Sequence, residues 1–247
     1  MKTIKIHYGI DALDIERAVI SIGSYDGVHK GHQQLLSQLD NMASRLDAER
    51  VVVTFEPHPR IAMGRTNDLQ LLTSIEERAL LLERYGVDRL VVAHFDDSFR
   101  SLPYRDFVRE VLLKRLNMVG MVVGYNHRFG RDGEGNYATL VELAEEFGFE
   151  VECVEQYLES GDKVSSTVLR NIVYEGAMSR AEEMLGHPYV VVGEACDGKL
   201  CVDDSYKLLP LSGNYAALVN GVNCCVTVSG RIINCGNISG RVVVEFK

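Results

Sequence analysis

Two textures divide the chain. Through the first two thirds, short apolar runs alternate with longer stretches whose apolar residues recur every three or four positions. The runs at 18–22, 51–55, 90–93, 118–124 and 149–154 are β-branched and bounded by Gly, Pro or Asp, which predicts buried strands. Between them, 33–46 places Leu35, Leu36, Leu39, Met42, Ala43 and Leu46 on one stripe, which predicts an amphipathic helix. The stretch 74–85 opens with Ser74 and Glu77 at capping-box spacing, and 104–116 and 137–147 read as further helices. Strands and helices alternating in this way imply an α/β domain with a parallel sheet covered on both faces. Ligands of such sheets collect beyond the carboxyl ends of the strands, so the residues just after each strand carry the interest.

From about His187 the helical period stops. Short runs at 189–192, 215–219, 224–228, 231–234 and 242–246 are punctuated by glycines, an all-β pattern. The expected division is a domain at 1–186 and a small all-β, barrel-like module at 187–247. A module of about 60 residues has a marginal core of its own and is expected to lean on the larger domain or on another subunit.

Composition narrows the class. The balance of 46% hydrophobic and 25% charged residues is that of a globular protein. No apolar run approaches the roughly 18 residues that cross a bilayer, and the first residues lack a secretory signal's apolar stretch, so a cytoplasmic protein is expected. A net charge of −9 without a basic block argues against nucleic acid as a partner but not against a nucleotide substrate. The six cysteines form no C-x-x-C pair and are expected to be small, buried, reduced residues.

Four stretches carry candidate chemistry. The first strand runs into Ile22-Gly23-Ser24-Tyr25-Asp26-Gly27-Val28-His29-Lys30-Gly31-His32 and then a helix. The glycines let the backbone turn tightly, and the helix start offers unpaired N–H groups to a phosphate. His29 and His32, three apart, can face the same way and donate to charge developing on a triphosphate. Taken alone, such a pair also suits capping or space filling; zinc is a poor fit without a third ligand. The second strand ends in Thr54-Phe55-Glu56-Pro57-His58-Pro59-Arg60, where two prolines stiffen a loop and Arg60 can grip a phosphate, or simply be solvated. The fourth ends in a Gly-rich polar loop, 124–136, where Asn126 can both donate and accept at a ring edge. Lys163-Val164-Ser165-Ser166-Thr167-Val168-Leu169-Arg170 offers a Ser cap and an arginine near the helix start.

Together these stretches resemble the bacterial FAD synthetase family, the bifunctional riboflavin kinase/FMN adenylyltransferases, over roughly residues 15–186. Residues 23–32 look like its G-x-F-D-G-V-H-x-G-H, with Tyr25 for Phe. Residues 54–59 look like T-F-x-P-H-P, 124–130 like G-x-D/N-F-x-F-G with His127 for an aromatic, and Ser165-Ser166-Thr167 with Arg170 like S-S-T-x-x-R. The resemblance implies a Rossmann-like nucleotidyltransferase that joins FMN to the AMP part of ATP. It assigns His29, His32 and Arg170 to catalysis and Gly23, Ser24, Tyr25, Asp26, Lys30, Gly31, Ser166 and Thr167 to ATP. Pro57, His58, Pro59, Arg60, Asn126 and Arg128 would lie around the flavin. Mg²⁺ would arrive with ATP, held by few protein ligands.

The second part departs from the family. His187-Pro188-Tyr189 and 209–216 resemble the opening of its riboflavin kinase barrel, but the kinase's G-F-P-T-A-N motif is missing and 198–202 stands in its place. The remainder also looks too short for the barrel and its terminal helix. The expectation is a shortened β module without kinase activity. Alternatives are an adenylyltransferase for another phosphate acceptor, or a non-catalytic flavin or nucleotide binder.

Overall fold

In the computed structural model, which describes residues 3–11, 13–64, 69–159 and 162–247, the chain forms two compact units. One comprises 1–25, 32–67 and 79–157; the other comprises 26–31, 68–78 and 158–247. In chain order the elements up to residue 154 are β1 (Lys5–Tyr8), β2 (Ala18–Ile22), α1 (Lys30–Leu46), β3 (Glu49–Glu56), α2 (Pro59–Ala62), α3 (Ile75–Arg84), β4 (Arg89–His94), α4 (Asp97–Arg100), α5 (Tyr104–Asp106), β5 (Met118–Gly124), α6 (Tyr137–Phe147) and β6 (Glu150–Val154).

The first unit holds a six-stranded sheet in the order β1-β4-β3-β2-β5-β6, parallel throughout. Every residue of β2 is buried, which is why its sequence shows an unbroken apolar run rather than alternation. The predicted strands all form. β1 escapes the pattern because it is a short edge strand whose residues are mostly exposed and so carry no apolar signature. α1 turns Leu36, Leu39, Met42 and Ala43 inward, and each large side chain so buried contributes roughly 1.5–3 kcal/mol. Its first turn begins at Lys30, earlier than the apolar stripe, which places His32 in that turn. The stretch 104–116 differs from expectation: only α5 is α-helical, and Phe107–Leu113 winds as a π-helix. Phe107, Val108, Val111 and Leu112 reach the core in that winding, and their spacing suits either form, so the pattern could not separate them. The chain steps outward from β2 through β3 to β4, then returns to β2's other side with β5. That reversal at the carboxyl ends of β2 and β5 is where an α/β sheet opens a crevice.

The second unit contains a hairpin, β7 (Leu158–Glu159) and β8 (Asp162–Lys163), two helices, α7 (Ser166–Tyr174) and α8 (Met178–Leu185), and six strands. These are β9 (Tyr189–Cys196), β10 (Lys199–Cys201), β11 (Gly213–Val219), β12 (Val222–Ser229), β13 (Ile232–Asn234) and β14 (Gly240–Phe246). They close into an antiparallel barrel, β10-β13-β12-β11-β14-β9. The expected small barrel-like β module is thus a closed six-stranded barrel. Closure is economical because tight turns join the strands: Asp197-Gly198 and Asn220-Gly221 both take positive φ, the backbone of two-residue hairpins. Tyr189, Val191, Val226, Val228, Val244 and Phe246 fill the interior. The cysteine expectation is also corrected. Only Cys235 is buried; Cys153 is partly buried, and Cys196, Cys201, Cys224 and Cys225 are exposed. Cys196, Cys201 and Cys225 follow or precede the inward-facing Ala195, Leu200 and Val226, so the two-residue period turns them outward.

Candidate functional site

Beyond the carboxyl ends of β2, β3, β4 and β5 the first unit holds a cavity of about 720 Å³. Gly23 and Ser24 follow β2 into its wall, His58 and Pro59 come from the loop after β3, and Phe95 follows β4. Phe55, Phe95, Phe99, Phe107 and Phe129 make a chain of ring contacts, with centroids 5.5 Å apart for Phe55–Phe95 and Phe99–Phe107 and 6.1 Å for Phe107–Phe129. His127 stacks on Phe129 at 5.6 Å and 18°. Its ring is partly exposed, but Nε2 is buried without a hydrogen bond, and burial pushes its pKa down to about 4. Aromatic walls with a few polar groups suit a large planar ring. No periodicity marked these phenylalanines, because they come from loops and separate elements.

Of the residues expected around a flavin, His58, Pro59 and Arg128 line this cavity. Pro57 lines a smaller hollow of about 300 Å³ with His94 and Asp96. Arg60 and Asn126 are exposed and lie outside the lining. His58 Nδ1 accepts the Arg60 N–H at 3.2 Å and so caps α2, which fixes the loop direction.

The glycine-rich loop is held from within. Tyr25 is buried, its hydroxyl donates to Ser21 Oγ at 2.6 Å, and burial pushes the phenol well up. Its ring lies 4.9 Å from that of the partly buried His32. Tyr25 and Val28 both take positive φ, +48° and +40°. Such conformations cost about 1–3 kcal/mol each and persist where the surroundings over-determine them, commonly at functional sites.

Asp26, Val28, His29 and Gly27 belong to the second unit. Asp26 is wholly buried. Its Oδ1 accepts the Thr73 N–H at 2.9 Å, its Oδ2 accepts Arg170 Nη2 at 2.7 Å, and Arg78 stands at 3.9 Å. Burial alone would push this carboxyl up, but Arg78, Arg170 and the N–H groups of Leu72 and Thr73 outweigh it and hold it below the usual carboxylate range. One carboxylate facing two guanidiniums leaves positive charge in excess, which suits an anion. Ser166 Oγ donates to the Asp26 carbonyl at 2.9 Å, while Ser165 caps α7 by accepting the Val168 N–H at 3.4 Å. Thr167 is exposed. Arg170 lies in the second turn of α7, where its Nε is buried without a hydrogen bond. His29 is buried too; burial pushes its pKa down to about 4 against the pull of Asp26, so it is neutral near pH 7. Lys30 and Gly31 are partly exposed at the start of α1. Gly27 requires its residue type: φ is +85°, and a Cβ there would lie 2.7 Å from Leu72.

Sequence reasoning missed Thr73, Arg78 and His187. Thr73 and Arg78 flank the Ser74–Glu77 capping box, which forms as expected: Ser74 N–H donates to Glu77 Oε2 at 2.8 Å and Glu77 N–H to Ser74 Oγ at 3.2 Å. Only the fold brings them to Asp26. Among the described residues no group of three or more His, Cys, Asp or Glu could hold a metal ion, and no helix is long and apolar enough to cross a membrane. The Asp26 carboxylate in the loop is already engaged by Arg170 and Arg78, so a resident cation does not fit there.

Residues 12–168 match the FAD synthetase family. The chain belongs to that family. It is 32% identical to the bifunctional riboflavin kinase/FMN adenylyltransferase of Listeria monocytogenes, an alignment covering 90% of this chain and 75% of the relative. It is 31% identical to the Escherichia coli K12 protein of the same description, covering 80% of this chain and 63% of that relative. A solved structure described as a macrolide-efflux protein from Streptococcus pneumoniae superposes with a TM-score of 0.81 at 24% identity, covering 98% of this chain and 89% of that one. At that identity the likeness speaks for the fold alone. Residues 197–201, where the kinase motif was expected, make a tight turn and β10. A Cβ on Gly198 would lie 1.6 Å from the Gly236 carbonyl oxygen, so the turn sits directly on neighbouring backbone.

Proposed function

We propose that this FAD synthetase family member is an FMN adenylyltransferase and has no riboflavin kinase activity. The aromatic cavity beyond β2 to β5 carries the reading: about 720 Å³ with flat walls accommodates an isoalloxazine ring, and its Gly23–Ser24 wall leads into the strained loop. In the reaction an oxygen of the FMN phosphate attacks the α-phosphorus of ATP. A new P–O–P linkage forms, the bond from the α-phosphorus to its bridging oxygen breaks, and pyrophosphate leaves with the electron pair. The nucleophile is already anionic, so positioning and charge neutralisation supply the catalysis. Mg²⁺ enters with ATP as part of the substrate.

His29, His32 and Arg170 act as donors to the phosphates. His29 donates as a neutral imidazole, through one N–H. Gly23, Ser24, Lys30, Gly31, Ser166 and Thr167 serve ATP, while Tyr25 and Asp26 serve it from behind, as buried supports of the loop. His58, Pro59 and Arg128 contact the flavin. Residues 1–186 form the adenylyltransferase part and 187–247 the β module. The tight turn at Asp197-Gly198 in place of a phosphate loop supports loss of the kinase.

Incubation with FMN, ATP and Mg²⁺ followed by chromatography should yield FAD and pyrophosphate, and riboflavin with ATP should yield no FMN. FMN binding without pyrophosphate release would identify a non-catalytic flavin protein. Transfer of AMP only to another phosphate acceptor would identify a different adenylyltransferase.

A further inference from the structure

Within the second unit the barrel is tied to the glycine-rich motif by a continuous run of polar contacts. Leu71 N–H donates to the Tyr206 carbonyl at 2.6 Å, and Leu208 N–H returns to the Leu71 carbonyl at 2.8 Å. Between them Lys207, 2% exposed, donates Nζ to the Leu72 carbonyl at 2.6 Å and to the Val190 carbonyl at 2.8 Å. The same ammonium pairs with Glu77 at 2.8 Å and lies 4.3 Å from the Tyr189 ring centroid. Glu77 Oε1 accepts the N–H of Val192, in β9, at 3.0 Å.

The residues so anchored flank Thr73. Its N–H and hydroxyl both donate to Asp26 Oδ1, at 2.9 and 3.2 Å, and its hydroxyl accepts the Gly27 N–H at 3.1 Å. Arg78, next to Glu77, donates to the Thr73 carbonyl at 3.1 Å. Asp26 in turn holds Arg170. From the module's first residues, His187 Nε2 reaches the Gly27 carbonyl at 3.0 Å. Gly27 is thus fixed at both its N–H and its carbonyl. A burial-free loop would relax the positive φ of Val28, a β-branched residue that does not adopt it unaided.

We propose that the barrel is a positioning element for adenylyl transfer: Lys207, through Glu77 and Thr73, and His187, through the Gly27 carbonyl, hold residues 26–31 and Arg170 in the conformation that receives the nucleotide. The inference rests on the adenylyltransferase reading. It gives the barrel a role in the reaction of the rest of the chain.

The test uses the full chain with Lys207→Met and, separately, Thr73→Val, which leaves the Lys207–Glu77 pair in place. Thermal melting reports folding, fluorescence quenching gives the FMN dissociation constant, and FAD formation gives kcat and the KM for ATP. A positioning role predicts FMN affinity within about twofold of wild type, because the lining of the cavity belongs to residues 22–133. It also predicts kcat lower by roughly 10- to 100-fold, the scale of a small misplacement of reacting groups. A merely structural role would lower the melting point and leave kcat per folded molecule unchanged. Folded Lys207→Met turning over within about twofold of wild type would overturn the proposal; if that variant does not fold, the same result in Thr73→Val overturns it. No FAD from wild type would instead sink the adenylyltransferase reading, and this inference with it.

Discussion

Replacing Asp26 by asparagine removes one charge and turns the oxygen that accepts from Arg170 into an N–H₂ donor. The amide oxygen of Asp26→Asn can still accept the Thr73 N–H, held at 2.9 Å in the native protein, so the loop keeps that anchor. What disappears is the counter-charge to Arg170, 2.7 Å away with 14% of its side chain exposed, and to Arg78, 3.9 Å away and 2% exposed. Removing one partner of a buried pair costs about 3–5 kcal/mol, because the remaining charge is left uncompensated. The retained hydrogen bond and the partial exposure of Arg170 put Asp26→Asn at the lower end, about 3 kcal/mol. For a chain of this size that lowers the melting point by about 6–12 °C. The pH dependence carries a second signature. The folded carboxyl titrates below its unfolded value, so its stabilisation is fully present above the unfolded value near 3.8 and is lost as pH falls through the folded value. Melting from pH 7.5 to pH 3, followed by circular dichroism, should show wild type losing stability below about pH 4 more steeply than Asp26→Asn. If Asp26→Asn melts within about 2 °C of wild type at pH 7.5, the buried carboxylate is not the electrostatic centre described above.

His32→Ala should lower turnover by about 10²-fold, the scale of losing a transition-state donor, and turnover within a fewfold of wild type would remove His32 from that role. His29 should stay neutral to about pH 4, visible in its imidazole ¹⁵N shifts. Because its folded pKa lies below the unfolded 6.5, its neutral burial destabilises the fold progressively as pH falls from 6.5 to about 4, by up to about 3 kcal/mol; an imidazolium at pH 6 would contradict this. Gly198→Ala should destabilise the barrel by about 2 kcal/mol or more, since the residue holds φ at +78° and the new methyl would meet the Gly236 carbonyl; an unchanged melting point would show that this turn yields freely.

The sheet was legible because strands buried on both faces leave unbroken apolar runs, as in β2 and β5, and because α1 and α6 carry clear stripes or caps. β1 and β10 were not, being short and half polar at their visible face. The loop motif and the Ser165 cap were local and readable. The buried setting of Asp26 and His29 was not, because it depends on Thr73, Arg78, Arg170 and His187, which reach them through long-range packing. The loop after β3 shows the same limit: proline stiffening was visible, but it is His58, the cap of α2, that lines the cavity while Arg60 is exposed outside it. The barrel-like module was legible in its short glycine-punctuated runs, and the Asn220-Gly221 and Asp197-Gly198 turns let it close within so few residues.

Residues 26–31 belong by packing to a body whose other parts come mostly from the far end of the polypeptide. Asp26 meets Arg170 across 144 positions and Gly27 meets His187 across 160. Contacts of such separation close late. During synthesis, therefore, the motif emerges long before Lys207 and the neighbours that anchor it. A chain that ends before these residues lacks the anchors that fix Gly27 and Asp26.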